Sequence, residues 1–476
     1  MNNVIFNNQT YMETYIKQNV GQKSNPVFNK VYINEWDKYF VSWDETTNPT
    51  QVSPALWGAN SYPPLRSTGT CLISNATPFC DFVFNGGDNL LFIPDTDSSS
   101  TNRFMYNTKT KKMTTKVETA MYYTSAFSRG IFISKYNSIY CLPARRVIAS
   151  GYGFTKITCD GSWNITGLDN FDSQNNYFVG NKGLTYHGGC YDDFNERIWF
   201  CPYSHNSDNL IDAGASKLLT ESKYFHYLDL TLNNIRYITN VDMQDYFTYD
   251  KYTNAIYVDK KVYYIPSGAI NTDTTLYYLD VSSTPTFVSY SNVTDGESNV
   301  GKGHYYYGGV LYDKKIFLLP RKITNSTNNY THYIDTVTNT IHKVQNTSGI
   351  LFDTTYNHYL GGCLAPDGYI YLAPHSNVGF TINPFLHRIN VLTREVEKYQ
   401  IFNNEYYRYN SSGVKISMPK PLRYFTGCRY NDGKVYFIPS VYSANYTDYP
   451  FLCYLDLNLD KKWNNNIHLT NNVINV

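Results

Sequence analysis

The sequence predicts an all-β chain: a seven-bladed β-propeller preceded by a short N-terminal arm. Three observations carry that expectation. Tyrosine fills 48 of 476 positions and aromatic residues make up 17% of the chain, a composition suited to the pleated surface of strands. No long stretch shows the apolar period of an amphipathic helix. Finally, an apolar run that stops at proline recurs seven times at similar spacing.

The seven runs are LLFIP ending at Pro94, IYCLP at Pro143, IWFCP at Pro202, VYYIP at Pro266, IFLLP at Pro320, IYLAP at Pro374 and VYFIP at Pro439. Their spacings are 49, 59, 64, 54, 54 and 65 residues, with a mean of 57.5. Each is read as the second of four strands in a blade. A strand that is apolar at every position is buried on both faces, and proline stops it because it has no N–H for the ladder. Ahead of four of the runs lie hairpin turns at Asp259-Lys260, Asp313-Lys314, Asp367-Gly368 and Asp432-Gly433. Glycines at Gly188-Gly189, Gly308-Gly309, Gly361-Gly362 and Gly427 are expected just before the first strands, where blades crowd the axis.

A third strand ends in Asn107, Asp229, Asp280, Asp335, Asn390 or Asp456, with Asp160 one residue out of register in the second copy. One carboxylate or amide per blade invites a metal reading. Its place in segments such as DTVTNT and DLTLNN favours a turn-forming role. The copies run 66–120, 121–179, 180–242, 243–299, 300–348, 349–415 and 416–468, followed by a tail over 469–476. Two ways of closing the ring stay open. Either each copy keeps its own four strands, or VYINEW or YFVSW near residues 31–43 completes a blade. Residues 1–65 form the arm, with one short helix expected over 10–19. Trp36 and Trp43 are candidate docking residues, or else cover the propeller's own base.

The charges nearly cancel, with 40 basic and 39 acidic residues and a net charge of +1. Nucleic-acid binding is therefore not expected, since it needs a basic excess. The N-terminal residues lack the basic and apolar regions of a secretory signal, and no apolar run is long enough to span a bilayer. Nine cysteines, without a CxxC pair, read as buried free thiols in a reducing compartment. Sequons such as Asn292-Val-Thr and Asn445-Tyr-Thr are what an Asn-rich chain produces by chance.

With this spacing in hand, the repeat resembles the kelch-like propeller family. More narrowly it resembles the GGxxxxxGKIYxxP variety found in bacterial, phage and giant-virus proteins. The segments that carry the likeness are GGCLAPDGYIYLAP (Gly361 to Pro374), GCRYNDGKVYFIP (Gly427 to Pro439) and GGVLYDKKIFLLP (Gly308 to Pro320). The likeness covers about residues 66–468. It departs from standard kelch repeats in the placing of the glycine pair. The Tyr and Trp of the outer strands are also mostly absent, with only Trp163 and Trp463 near that position. The resemblance implies a fold and leaves activity open. Heavy use of Asn, Lys, Ile, Tyr and Phe suggests an AT-rich genome, as in large DNA viruses, their satellites and some phages.

No catalytic constellation stands out. CDGSW at 159–163 only partly echoes a sialidase Asp box and reads as a hairpin turn. The ten histidines show neither HxH nor HExxH spacing and read as single surface or strand residues. Glutamate is scarce in the repeats, so the carboxylate pair of a glycosidase has no evident source. Neither a GxSxG elbow nor a phosphate-binding loop occurs. No metal, cofactor or enzymatic activity is expected.

The loops after each proline should share one face, because they leave equivalent strands. They mix Tyr with Asn, Ser and Asp, which suits sugar or protein binding. The candidate contacts are Tyr203, His205, Asp208, Arg321, His375, Tyr442, Tyr446 and Tyr449. The expected function is non-enzymatic binding or assembly, most specifically as a virion component assembled in the host cytoplasm. Its expected partners are other virion proteins or a host-surface glycan or protein, with an oligomer through residues 1–65 left open. The alternatives are a carbohydrate-active enzyme with a site in the central channel, or a cytoplasmic kelch-type adaptor.

Overall fold

The computed structural model describes residues 3–6, 9–12, 65–71, 79–94, 102–117, 127–143, 155–159, 165–167, 186–202, 225–238, 252–266, 276–290, 292–293, 304–323, 330–344, 359–374, 385–400, 406–409, 415–418, 425–439 and 451–457. These residues form seven antiparallel blades, and the longest helical segment among them is the 3-10 turn Ser134–Tyr136.

Every blade starts on an inner strand. In chain order the inner strands are Phe79–Phe84, Phe127–Ile133, Tyr186–Asp192, Tyr252–Val258, His304–Tyr312, Tyr359–Leu364 and Phe425–Asn431. Each contacts the next, and the seventh contacts the first, so the ring is closed. The proline-ended runs are the second strands, as the sequence predicts, and their apolar side chains are buried almost completely. Val262, Tyr263, Tyr264 and Ile265 have no exposed surface at all. Alternate residues of such a strand face opposite neighbours. Tyr264 packs against Trp199 and Phe225 of the third blade, while Tyr263 packs against Ile316 and Ile334 of the fifth. The buried apolar residues fall into seven clusters, one at each junction between neighbouring blades.

Turn chemistry follows the residues. Asp259 with Lys260, and Asp313 with Lys314, take left-handed φ at both central positions of their hairpins, the geometry that matches strand twist. The Asn or Asp that ends the third strand folds the next turn onto itself. Asp335 Oδ1 accepts the N–H groups of Val337 and Thr338, and Asn390 Oδ1 those of Leu392 and Thr393. Asn107 and Asp229 do the same, and Asp280 Oδ1 accepts the N–H and the hydroxyl of Ser282. In these five blades the repeated residue is thus a turn former; Asp456 of the seventh instead faces Lys434 at 3.8 Å, and Asp160 lies outside the described residues.

Histidines recur in register too. His226, His332 and His387 are buried three residues before Asp229, Asp335 and Asn390. His332 Nδ1 bonds the Tyr306 hydroxyl, and His387 Nδ1 bonds that of Tyr359, tying third strand to inner strand within a blade. These three are repeat positions rather than scattered residues.

The structure corrects three expectations. The seventh blade does not supply its own outer strand: Leu65–Cys71 pairs with Phe451–Asp456 and completes it. VYINEW and YFVSW lie outside the described residues. The glycine pairs sit inside the first strands, not before them. A Cβ on Gly189 would lie 2.3 Å from the Trp199 carbonyl oxygen, so crowding within the blade requires glycine there. Gln9–Met12 pairs with Asn3–Phe6 as a hairpin, which replaces the start of the helix expected over 10–19; Thr10 and Tyr11 favour strand. A separate hairpin, Tyr406–Tyr409 with Lys415–Met418, stands between the sixth and seventh blades in sequence. Asn292–Val293 adds a parallel fifth strand to the edge of the fifth blade.

Two expectations follow for stability. Deleting residues 1–71 removes the closing strand, whereas deleting 1–64 keeps it. The longer deletion should lower the urea midpoint well below that of the shorter, and equal midpoints would show that closure contributes nothing. The second concerns alkali. Burial pushes the Tyr140 hydroxyl up to about 12 and those of Tyr252, Tyr264, Tyr290 and Tyr306 well above their ordinary value. A tyrosine harder to ionise folded than unfolded contributes stability that is complete below the unfolded value of about 10 and lost as pH rises beyond it. Tyrosinate absorbance of this set should therefore appear in one step with loss of near-ultraviolet dichroism. Gradual titration of a chain that stays folded would contradict it.

Candidate functional site on the propeller axis

Each proline of the second strands pairs with an aromatic residue of the inner strand: Phe79, Phe127, Tyr186, Tyr252, Tyr306, Tyr359 and Phe425. The register shifts just beyond that pair in all seven blades. Proline withholds an N–H from the ladder at this level, and the inner strand takes in one extra residue. Such a bulge bends the strand and re-aims its side chains. Seven equivalent bulges thus lie at one end of the ring, the end from which the chain leaves each proline.

The residue two places beyond each aromatic is Asp81, Arg129, Gly188, Asn254, Gly308, Gly361 and Gly427 in turn. Four blades carry glycine there and three carry a polar side chain. Two of the glycines make room for polar side chains. Gly188 and Gly308 have φ of +81° and +108°. A Cβ on Gly188 would lie 2.8 Å from Asn254 Oδ1 and 3.4 Å from Arg129 Cδ, and one on Gly308 would lie 2.9 Å from Arg129 Nη2. Arg129 and Asn254 therefore converge on the same small volume.

Hydrogen bonds run from blade to blade at this level. Arg429, on the seventh inner strand, places Nη2 at 2.7 and 3.0 Å from the two carboxylate oxygens of Asp81. Asp81 also accepts the N–H groups of Phe82 and Gly130. Ser128 Oγ accepts the Gly188 N–H at 2.7 Å. His187 Nδ1 lies 2.6 Å from the Thr253 carbonyl, and Thr253 Oγ1 donates to the Tyr306 carbonyl at 3.3 Å. A carbonyl only accepts, so His187 is protonated at Nδ1. When the ring is neutral, Nε2 accepts the Tyr307 hydroxyl 3.1 Å away.

Arg129 crosses the axis. Its Nη2 donates to the Tyr307 carbonyl of the fifth blade at 3.3 Å, and no carboxylate pairs with it among the described residues. Burial draws its guanidinium below the ordinary value, against the opposing pull of Asp81. For Arg429 burial acts the same way, but the adjoining Asp81 carboxylate outweighs it and holds that guanidinium above its ordinary value. The belt thus contains one satisfied ion pair and one further cation. Asn254 Oδ1 is buried and accepts no hydrogen bond. No cluster of three His, Cys, Asp or Glu suited to a metal occurs among the described residues.

Of the site residues expected from sequence, only Arg321 falls among the described residues. Tyr203, His205, Asp208, His375, Tyr442, Tyr446, Tyr449, Trp36 and Trp43 are outside the described residues. Arg321 follows Pro320 within Lys315–Ile323, at the bulge end of the ring; its side chain is not described. The residues that the fold does bring together are Asp81, Arg129, His187, Asn254, Tyr307 and Arg429, none of which motif searching selects. The signal for three of them was positional: Asp, Arg and Asn stand where other repeats have glycine.

No protein-family model and no curated protein sequence matches the chain. Among solved structures, it is similar to YCF48 bound to D1 peptide (TM-score 0.47, 6% identity, covering 83% of this chain and 97% of that one). It is also similar to the WD40 β-propeller domain of Doa1 (TM-score 0.44, 8% identity, 83% and 97%) and to the computationally designed Ika8 protein (TM-score 0.42, 7% identity, 81% and 98%). Likeness of this degree carries no argument about function, and the fold rests on the strand pairing itself.

Substitutions in the belt should register in stability. Asp81→Ala leaves Arg429 without its partner and the Gly130 N–H without its acceptor. With Arg429 partly solvated, a cost of about 2–3 kcal/mol is expected by urea unfolding. Gly308→Ala should cost about 1–3 kcal/mol through left-handed strain and the crowded Arg129. A change under about 0.5 kcal/mol in both, the range of inert surface sites, would mean the belt does not hold the ring.

Proposed function

We propose that the chain is a non-enzymatic binding and assembly protein, in its most specific form a virion component, that recognises a glycan or a neighbouring protein through the bulge end of the propeller. The observation that carries this reading is the shared end: Arg129, with no carboxylate partner among the described residues, lies at the end of the ring where the seven second strands stop at proline. A rigid ring presenting variable connections around a polar centre is an arrangement suited to recognition. The belt carboxylate is engaged by Arg429 and two backbone N–H groups, which suits Asp81 to holding the ring rather than moving protons. The tyrosines of the connections, such as Tyr442, Tyr446 and Tyr449, would supply flat contact surface with a hydroxyl at the tip.

The test pairs a glycan array with co-assembly assays, using the full chain and a chain lacking residues 1–64. Both chains should bind the same target, and the shorter one should lose assembly. Replacing Tyr442, Tyr446 and Tyr449 together by Ser should weaken target binding at least about tenfold, the loss of roughly 1.4 kcal/mol. A chain that binds neither glycan nor protein and assembles without its first 64 residues would overturn the proposal.

A further inference from the structure

Three features of the axial belt constrain what can sit there. The first is charge: Asp81 neutralises Arg429, and no second carboxylate pairs with Arg129 among the described residues. The second is donor capacity: Arg129 has five N–H donors and commits one, at 3.3 Å, to the Tyr307 carbonyl. The third is an acceptor in need of a donor. Asn254 is 5% exposed, and its Oδ1 has no hydrogen-bond partner. Both side chains lie within 4 Å of the same point beside Gly188. A buried polar atom without a partner is unfavourable unless a ligand or solvent completes it.

We propose that Arg129 and Asn254 form an axial subsite for the carboxylate of an acidic sugar, a terminal uronate-type residue entering from the bulge end. This rests on the glycan half of the reading above and names its substrate class. The carboxylate places its two oxygens against the Arg129 fork, the pairing for which a guanidinium is shaped. The C4 hydroxyl of that sugar, one ring carbon away from the one bearing the carboxylate, donates to Asn254 Oδ1. A sulfate group offers acceptors and no hydroxyl, and leaves Asn254 unsatisfied. A peptide carboxylate brings a single N–H beside it and lacks the ring of hydroxyls. The subsite lies two residues beyond the aromatic paired with proline, so one terminal sugar reaches it from the bulge end while the rest of a glycan stays outside. Gly188 and Gly308 let Arg129 and Asn254 come this close to the backbone.

The experiment is calorimetric titration of the full chain with methyl glucuronide, its neutral parent methyl glucoside, an N-acetylated dipeptide with a free carboxylate, and inorganic sulfate. Methyl glucuronide should bind saturably and at least about tenfold more tightly than the other three, the scale of a charge-assisted hydrogen-bond pair. Arg129→Gln should lower that affinity at least about tenfold. Because that variant also loses the contact across the axis, Asn254→Asp serves as the second: it keeps the side chain's shape, sets a negative charge beside Arg129, and should abolish binding while the melting transition stays cooperative. Equal affinity for glucoside and glucuronide overturns the subsite. So does preference for the dipeptide or sulfate, absence of glucuronide binding, or unchanged affinity in folded Asn254→Asp. If neutral glycans bind on the array and keep binding to Arg129→Gln, the subsite falls and the broader reading stands. An array blank for every glycan removes the subsite and the glycan half together.

Discussion

A strand that is apolar on both faces has no stable existence at the edge of anything. The second strand of each blade is of this kind, and its side chains alternate between two neighbours. Tyr263 belongs to one junction and Tyr264, the next residue, to the other. No blade can therefore bury its own core. Sheets built this way must continue until the last meets the first, and the twist between packed sheets brings that meeting round into a circle. The axial belt follows from the same constraint, because closing the circle forces seven inner strands together at the centre.

Where they meet, two demands conflict. Close approach requires glycine, while a polar centre requires side chains. The chain resolves this blade by blade. Gly188 and Gly308 yield space, and Arg129 and Asn254 use it. Asp81 and Arg429 join the first and seventh blades through the shortest belt contacts to a carboxylate. Arg129 spans from the second blade to the fifth. The ring's sevenfold repetition is thus broken at the one level where its blades are in closest communication.

The repeat was legible in the sequence because its markers are local. An apolar run that ends in proline, or an Asp whose carboxylate caps its own turn, needs no distant partner to declare itself, and the Asx turns at Asp335 and Asn390 came out as read. The belt was not legible, because its meaning lies in comparison between copies. His187 looked like one of ten scattered histidines until Thr253 and Tyr307 closed on it from other blades. Asp81 and Arg129 carry no motif, and only alignment on the aromatic that faces proline shows them as replacements for glycine. The closing strand was hidden for a related reason. Leu65–Cys71 reads LRSTGTC, polar and without the proline signature, and it is recognisable only by the empty edge of Phe451–Asp456 that it fills.

That seam has a bearing on how the molecule is made. A ribosome emits Leu65 before any of the seven blades and Phe451 with the last of them, so the closing strand must wait, unmatched, while the ring is made. Until then the apolar second strands at either end of the growing arc face water on one side, and pairing between strands far apart in sequence is slow. The chain's birth is thus governed by its last blade: a nascent polypeptide that stalls before residue 451 holds most of a propeller and no means of sealing it.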